Sequence, residues 1–394
     1  MGLVGRKGEQ PWKNPLNMKY KVFVEYLHLP KEKQIMKKHN FSSGPAILPL
    51  PVFEQAAEAV RDFNGMGLSI LEISHRSPEF TAVMEEANVL IKDLLNVPDD
   101  YAILFLQGGA SSQFFMTAMN LLDQDAKAGY IDTGSWSTKA IKEAQAFGTV
   151  ETLASSKPDN FTYIPKGFAI PEDLAYVHIT TNNTIYGTQF KTLPETSVPM
   201  VGDMSSDIFS QPVDVSRFDL IYAGAQKNMG PAGATLVIVR KEALGKVKRH
   251  IPTMLDYRTH VKKGSAFNTP PVFPIYVSML TLRWIKANGG IPAMQQKNAA
   301  KAELIYREID RNPMFKGTVT DPADRSTMNA TFVLAEGKEH LNDEFMQLCK
   351  AANCSGVKGH RSVGGFRASM YNAMEIESVQ ALVQVMQSFE RKFG

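Results

Sequence analysis

Apolar runs of strand length alternate with segments of helical periodicity through the first two-thirds of this chain. Residues 177–180 are typical of a strand, and residues 54–62 are typical of an amphipathic helix. This alternation predicts an α/β fold in which a mostly parallel sheet lies between helices.

The pattern changes in the last third of the chain. A helix-like segment over 294–311 is followed by a strand candidate over 327–335, another helix, a glycine-rich loop and a final helix. We therefore predict a large domain over 50–291 and a smaller α+β domain formed by 36–49 together with 292–394. A chain of 394 residues, 44% of them hydrophobic, is long enough for two substantial cores.

A lysine lies in the predicted turn between two apolar strands. Residues 218–239 indicate strand, tight turn and strand, and Lys227 lies in the turn among Gly224, Gly230 and Gly233. Partial desolvation there would lower the pKa of the lysine and make its amine nucleophilic. Taken alone, the segment also fits an exposed lysine in a hairpin turn.

An apolar run over 197–203 ends in an acid. Asp203 is therefore predicted at the C-terminal end of a core strand, where ligands of parallel sheets bind. An acid there and a lysine 24 residues later meet the needs of pyridoxal phosphate, whose aldehyde takes a lysine and whose ring nitrogen needs a carboxylate. Asp203 could equally cap a helix or turn, and Asp207 is a weaker rival for the ring nitrogen.

A Gly-Gly turn connects a predicted strand to an amphipathic helix within residues 101–120. The N–H groups of a first helical turn and the positive end of its dipole attract an anion, and Ser111 and Ser112 add hydroxyl donors. The turn could hold the phosphate of the cofactor, although such a turn is more often a simple connection.

The stretch 359–367 contains His360, Arg361 and Arg367 between glycines. Two guanidinium forks and an imidazole exceed what one carboxylate needs, so the stretch indicates a small ligand with a carboxylate and a phosphate. A basic surface turn is the alternative.

Together these segments resemble a known family of enzymes. The matching motifs are 40–46, 74–77, 107–110, 132–137, 180–188, 203–206, 225–228, 268–271 and 359–362. Their order and spacing resemble the phosphoserine aminotransferase family, a class V branch of the pyridoxal-phosphate enzymes, from about Lys37 to the C-terminus. The resemblance implies the fold-type I architecture, also called aspartate-aminotransferase-like, in which 50–291 would be the cofactor-binding domain.

The resemblance also implies roles for individual residues around the cofactor. Lys227 would form the Schiff base, Asp203 would bind the ring nitrogen, Trp136 would stack on the ring and Thr184 would bind the ring hydroxyl. The phosphate would be held by Gly109, Ala110, Ser111 and Gln226, and by Asn268 and Thr269 of a neighbouring subunit. This last pair implies a homodimer with two shared active sites.

For the substrates, the resemblance places the α-carboxylate on Arg367. The distal phosphate or carboxylate would lie near His75, Arg76, His360 and Arg361. Some family members carry an arginine where this chain has Ser111, so that phosphate contact is lost or replaced. The implied reaction is reversible amino transfer between glutamate and 3-phosphohydroxypyruvate in serine biosynthesis; some members also form 4-phosphohydroxythreonine in pyridoxine biosynthesis.

Other enzymes would keep the same lysine and acid. An alanine-glyoxylate aminotransferase or a cysteine desulfurase of class V would also need Lys227 and Asp203, but the His-Arg pairs favour a phosphorylated substrate. A non-catalytic pyridoxal-phosphate-binding regulator is a further alternative.

The positive charge of the chain is concentrated at its start. Residues 1–35 hold seven Lys/Arg and three Asp/Glu, a net +4, so a chain of net +3 carries −1 in the remainder. We therefore expect no nucleic-acid partner, and we interpret 1–35 as an extra leader that precedes a natural start at Met36. Two closely spaced cysteines, Cys349 and Cys354, favour a reduced cytoplasmic protein. We expect no metal site and no membrane span.

Overall fold

The computed structural model describes residues 38–394, and the predicted leader over 1–35 lies outside the described residues. By its internal contacts the segment His39–Gly394 forms one unit. In this part of the chain the α-helices are Leu50–Arg61 (α1), Pro78–Leu95 (α2), Gly109–Leu121 (α3), Ser135–Ala144 (α4), Tyr257–Lys262 (α5), Val272–Ala287 (α6), Gly290–Arg311 (α7), Asn342–Ala351 (α8) and Ile376–Phe393 (α9). The strands are His39–Asn40 (β1), Tyr101–Leu106 (β2), Lys127–Asp132 (β3), Thr149–Ser155 (β4), Leu174–Thr180 (β5), Met200–Asp203 (β6), Phe218–Gly224 (β7), Thr235–Arg240 (β8), Phe315–Gly317 (β9), Asn329–Leu334 (β10), Cys354–Ser355 (β11) and Phe366–Ser369 (β12).

A seven-stranded sheet has the order β2-β8-β7-β6-β5-β3-β4. Neighbouring strands from β7 to β4 pair in parallel, whereas β8 pairs antiparallel with both β7 and β2. The predicted α/β fold with a mostly parallel sheet is confirmed.

Both faces of this sheet are covered by apolar side chains. In β7, Ile221 and Ala223 join the core on one face, and Leu220 and Tyr222 join the core on the other. Successive side chains of a strand point to opposite faces, so a strand buried on both sides must be apolar nearly throughout. The apolar run that predicted a core strand is explained by this two-sided burial.

The C-terminal part of the chain has its own sheet and its own core. Strands β9, β10 and β12 form an antiparallel sheet of order β12-β10-β9, and helices α7, α8 and α9 contribute to the same apolar cluster. Phe41, close to the start of the described residues, is buried in this cluster. This separate core supports the predicted division into 50–291 and 36–49 with 292–394, which stays a prediction.

The carboxyl ends of several strands meet at one edge of the large sheet. Strand β5 ends at Thr180, β6 at Asp203 and β7 at Gly224, and these three strands are consecutive neighbours. Strand β2 is antiparallel to β8, which is antiparallel to β7, so β2 also ends at this edge, at Leu106. In a parallel sheet this edge is where loops converge on a ligand.

Candidate active site

A cavity of about 420 Å³ opens at this edge of the large sheet. The lining residues are Ser43, Gly44, Gly108, Gly109, Ala110, Ser111, Phe114, Trp136, Thr180, Asn182, Thr184, Ile185, Asp203, Ser205, Ser206, Gln226, Lys227, His360 and Arg367. The structure thus brings together ten of the residues singled out from the sequence, although they are spread from Gly109 to Arg367.

Lys227 lies in the turn after β7, and its side chain forms part of the cavity wall. The turn is tight because the backbone N–H groups of Lys227 and Gly230 both donate to the Ala225 carbonyl, at 2.8 and 2.7 Å. Burial lowers the pKa of the Lys227 amine to about 8, and the positive charge of Arg367 adds to this effect. The negative charge of Asp203 acts in the opposite direction.

Gly44 packs against the stem of this lysine. A Cβ atom at Gly44 would lie 3.1 Å from both Cδ and Cε of Lys227, and the glycine has a φ of +136°. Both the close approach and the backbone conformation therefore favour glycine at this position. The segment 40–46 was matched as a motif, but its contact with Lys227 could not be read from the sequence.

Asp203 is the last residue of β6 and is buried at the cavity. Burial raises the pKa of this carboxyl group, while a hydrogen bond from the Ser205 N–H at 3.0 Å and the positive charge of Lys227 oppose the rise. A buried carboxylate of this kind favours a cationic partner such as a protonated ring nitrogen.

The rival acid, Asp207, is differently placed. It accepts hydrogen bonds from the Thr181 hydroxyl at 2.6 Å and from the Gln189 amide at 3.3 Å, and it is absent from the cavity lining. Burial raises the pKa of Asp207 to about 6. The geometry favours Asp203 over Asp207 as the partner of a bound ring.

The turn before α3 forms a cradle at the other end of the cavity. Gly108 and Gly109 have φ angles of +92° and +64°, and α3 begins at Gly109 with Ala110 and Ser111 in its first turn. The first N–H groups of a helix have no partner within the helix, so this turn can bind an anion. Ser112 instead donates its hydroxyl to the Gly108 carbonyl at 3.2 Å.

Trp136 lies in the first turn of α4, which begins directly after β3 and a short turn. Asp132 accepts hydrogen bonds from the hydroxyls of Ser137 at 3.0 Å and Thr138 at 2.8 Å. These bonds tie the first turn of α4, which carries the indole, to the end of β3. The indole N–H donates to the Thr184 hydroxyl at 3.0 Å. A flat aromatic side chain held in this way suits a flat ring in the cavity.

Arg367 in β12 brings the C-terminal sheet to the cavity. Its guanidinium donates to the Thr184 carbonyl at 3.0 Å and to the Ser43 hydroxyl at 2.8 Å. A guanidinium has five N–H donors, so donors remain for a carboxylate. Its Nε atom is buried and has no hydrogen-bond partner within residues 38–394.

His360 lines the cavity beside this arginine. Burial lowers the pKa of the imidazole, and the positive charges of Arg367, Arg361 and Lys139 lower it further. Lys139 was not singled out from the sequence; its Nζ lies 4.5 Å from the centroid of the Trp136 ring. The mouth of the cavity is therefore electropositive, as an anionic substrate requires.

Five predicted residues do not line this cavity within the single chain. Arg76 and Arg361 are exposed, and His75 is partly buried with an Nε2 atom that has no partner among the described residues. Asn268 lines a neighbouring cavity of about 340 Å³, and the Thr269 carbonyl accepts a hydrogen bond from the Gln107 amide at 3.1 Å. Their roles stay predictions.

Two further features of the described residues bear on function. Between residues 38 and 394, His, Cys, Asp and Glu side chains form no group that could hold a metal ion, and no helix is long and apolar enough to cross a membrane. Cys349 and Cys354 are free and buried, and burial raises the pKa of their thiols to about 12 and about 11. Unreactive thiols of this kind are structural.

The groups around the cavity fit pyridoxal phosphate. They combine an amine of lowered pKa, a buried carboxylate, a flat aromatic wall and an anion cradle at a helix N-terminus. A ring with an aldehyde, a basic nitrogen and a phosphate can use all four.

Comparison with known proteins gives a family and relatives. The aminotransferase class-V family model matches residues 38–382. The chain is 60% identical over 358 residues to the phosphoserine aminotransferase of Flavobacterium johnsoniae. The alignment covers 91% of this chain and 100% of that protein.

Solved structures agree with this similarity. The phosphoserine aminotransferase of Bacillus circulans subsp. alkalophilus matches with a TM-score of 0.88 and 48% identity, covering 91% of this chain and 99% of that one. The pyridoxal-phosphate-bound phosphoserine aminotransferase of Trichomonas vaginalis matches with a TM-score of 0.85 and 38% identity, covering 89% and 100%.

Proposed function

The chain belongs to the aminotransferase class-V family, and on that premise we propose that it transfers an amino group reversibly between glutamate and 3-phosphohydroxypyruvate, giving phosphoserine and 2-oxoglutarate. The observation that carries this activity is 60% identity to a phosphoserine aminotransferase along the whole of that relative. The reaction serves serine biosynthesis. A second product, 4-phosphohydroxythreonine, stays a prediction.

The cofactor is pyridoxal phosphate, which when bound withdraws electrons from the substrate Cα and so makes its proton removable. We assign its binding to residues of the cavity. The phosphate would lie on the cradle before α3, held by Gly109, Ala110 and Ser111 and by Gln226 from the turn after β7. The ring would lie between Trp136, Thr184 and Asp203. Asp203 would place a negative charge near the ring nitrogen and so would favour the protonated form of that nitrogen.

Lys227 is the group that moves the proton. An amine with a pKa of about 8 is substantially neutral near that pH, so Nζ can accept the proton from the substrate Cα. Nζ would then donate this proton to the C4′ carbon of the cofactor. The surrounding burial that lowers its pKa also excludes water from the reacting atoms.

Arg367 would bind and orient the α-carboxylate of either substrate. Its contacts with Ser43 and Thr184 fix the plane of the guanidinium, and a fixed fork positions a carboxylate through two parallel hydrogen bonds. His360, with His75, Arg76 and Arg361, would bind the distal phosphate or carboxylate, so that one cavity accepts both substrates in turn.

We also propose that the protein is a homodimer whose active sites are shared, with Asn268 and Thr269 reaching the phosphate of the neighbouring subunit. Exposed apolar side chains support an interface: Met66, Leu68, Leu71, Met254 and Phe267. The cavity that Asn268 lines also includes Gly108 of the phosphate cradle. Sedimentation as a monomer at micromolar concentration would contradict this arrangement.

The two free, buried cysteines support a cytoplasmic location, because a reducing compartment keeps thiols unpaired. Fractionation of the native cell that placed the enzyme outside the cytoplasm would contradict it.

The activity is tested by a single half-reaction. Phosphoserine, or serine in a parallel sample, is added to the cofactor-loaded protein without 2-oxoglutarate, and the oxo acid released is measured. We expect about one 3-phosphohydroxypyruvate per site from phosphoserine and no oxo acid from serine. Alanine and cysteine are added to further samples. Release of pyruvate from alanine or of sulfide from cysteine, with no oxo acid from phosphoserine, would agree with the family but contradict the proposed substrate.

Arg361 tests how the phosphate is recognised. Arg361→Ala should raise the KM for phosphoserine roughly tenfold, because a hydrogen bond to a charged group contributes about that much to binding. The KM for glutamate should change less. Arg307→Ala, which removes an exposed arginine of α7, is the matched control. Equal increases in KM for phosphoserine and for glutamate would exclude this role for Arg361.

A further inference from the structure

Polar side chains lie beneath Asp203 on one face of the large sheet. Tyr222 and His178 are both essentially inaccessible to solvent, and the mechanism above uses neither. Asp203 and Tyr222 are register partners in the parallel pair β6 and β7. Strand alternation places His178 of β5 on this face as well, because Tyr176, two residues before it, belongs to the same core as Tyr222.

These side chains are in contact. The Nε2 atom of His178 lies 2.9 Å from the Tyr222 hydroxyl. Burial raises the pKa of the Asp203 carboxyl group, and the nearby Tyr222 hydroxyl acts against this rise. The ring of Tyr130 stacks on His178 with centroids 4.7 Å apart, and Phe114 packs edge-on against Tyr222 at 6.2 Å. Both rings are therefore held in place by their neighbours.

The environment of His178 decides where its proton lies. Burial lowers the pKa of this imidazole to about 3, so the ring is neutral near pH 7 and carries one N–H. Its Nδ1 atom is buried and has no hydrogen-bond partner among the described residues. A buried N–H without an acceptor costs more than a lone pair without a donor, so we assign the proton to Nε2.

This tautomer sets the direction of the whole chain of hydrogen bonds. If Nε2 of His178 donates, the Tyr222 oxygen accepts, and the Tyr222 proton is left to point at Asp203. Burial raises the pKa of the Tyr222 hydroxyl well above its usual value, so that proton stays on Tyr222. In this arrangement the Asp203 carboxylate has a hydroxyl donor on its core side, in addition to the hydrogen bond from the Ser205 N–H.

We propose that Tyr222 and His178 are positioning residues for Asp203: the directed chain His178 to Tyr222 to Asp203 holds the carboxylate ionised and aimed at a cationic ring nitrogen in the cavity. The proposal rests on the proposed function, because it assumes that pyridoxal phosphate is the group in the cavity. It adds two residues that do not line the cavity.

The test compares two tyrosines that differ in one respect. Tyr222→Phe removes the hydroxyl that reaches Asp203. Tyr176→Phe removes a hydroxyl that is equally buried in the same core but bonds to Tyr130 at 2.8 Å. For each refolded apo-protein two quantities are measured: the dissociation constant for pyridoxal phosphate by equilibrium dialysis, and the ¹⁵N chemical shift of the bound cofactor labelled at its ring nitrogen.

We expect Tyr222→Phe to weaken cofactor binding roughly tenfold, as for loss of a hydrogen bond to a charged group, and to move the ¹⁵N shift toward the unprotonated value. Tyr176→Phe should leave both quantities at wild-type values even if it lowers the melting temperature. If the two variants behave alike, or if Tyr222→Phe lowers the melting temperature alone, Tyr222 is only a packing residue and the proposal is wrong.

His178 provides a second test that does not depend on Tyr222. In His178→Gln the side-chain amide retains a donor near the position of Nε2, whereas His178→Leu removes it. A wild-type ¹⁵N shift in His178→Gln but not in His178→Leu supports the directed chain. The same ¹⁵N shift in both variants overturns it. If the wild-type protein itself binds no pyridoxal phosphate, the proposed function fails first, which separates the two failures.

Discussion

Lys227 and Lys301 lie in different regions of the protein and share one electrostatic property. Burial lowers the pKa of Lys227 to about 8 and that of Lys301 to about 7. Lys227 lies in the turn after β7 and forms part of the cavity wall. Lys301 lies within α7, where it is 1% exposed.

The surroundings of the two amines differ. The Nζ atom of Lys301 donates to three backbone carbonyls in one short segment: Met370 at 3.0 Å, Tyr371 at 2.7 Å and Met374 at 3.1 Å. The Nζ atom of Lys227 lies 5.9 Å from the ring centroid of Tyr371 and faces the cavity. A lowered pKa therefore reports desolvation in both cases, and only access to the cavity distinguishes an amine that can react.

Lys301 still acts on the site through the segment that it holds. The Tyr371 hydroxyl donates to the Ser43 carbonyl at 2.9 Å, and the Asn372 N–H donates to the Asn228 side chain, next to Lys227, at 3.0 Å. Lys227, which we propose to be catalytic, thus differs from Lys301, which fixes the backbone around it.

The largest expected effect comes from Lys227→Ala. We expect turnover to fall by at least about a thousandfold, because the group that we propose to move the proton is removed, while cofactor still binds loosely. The melting temperature should stay close to that of the wild type, since the lost amine is poorly solvated in the folded protein. Steady-state kinetics and thermal unfolding measure both quantities. Turnover near the wild-type value would contradict the catalytic role of Lys227.

The rate of cofactor capture should depend on pH through the Lys227 amine. The amine of Lys227 must be neutral to attack an aldehyde, and its pKa of about 8 means that the neutral fraction falls as the pH drops below 8. We expect the rate at which apo-protein captures pyridoxal phosphate to rise about fiftyfold from pH 6 to pH 8 and then level off. A rate that kept rising toward pH 10 would indicate an ordinary, solvated lysine.

Lys301→Met should show the opposite pattern to Lys227→Ala. Three buried carbonyls lose their donor, so we expect the free energy of unfolding to fall by about 2 kcal/mol. Turnover of the folded variant should fall less than tenfold, because the reacting groups stay in place. Denaturant unfolding and kinetics test this, with Lys297→Met, an exposed lysine one turn earlier in α7, as control. A thousandfold loss of turnover would place Lys301 in the chemistry.

Local pattern predicted the elements well and their ends less well. The predicted strand 177–180 is the end of Leu174–Thr180, and the predicted strand 327–335 is Asn329–Leu334. The predicted helix 294–311 begins four residues earlier, in Gly290–Arg311, with Pro292 in its first turn. A proline there removes an N–H that has no helical partner anyway, so it does not end the helix.

The fold class and the placement of Lys227 and Asp203 after apolar strands could be predicted from the amino-acid sequence. Those features follow from side-chain periodicity and from the edge at which parallel strands end, which are local properties. The tertiary structure alone placed Asp203 rather than Asp207 at the cavity, joined Arg367 to Ser43, and set His178 and Tyr222 beneath the carboxylate. Burial and hydrogen bonding decide these points, and both depend on residues far away in the chain that only folding brings into contact.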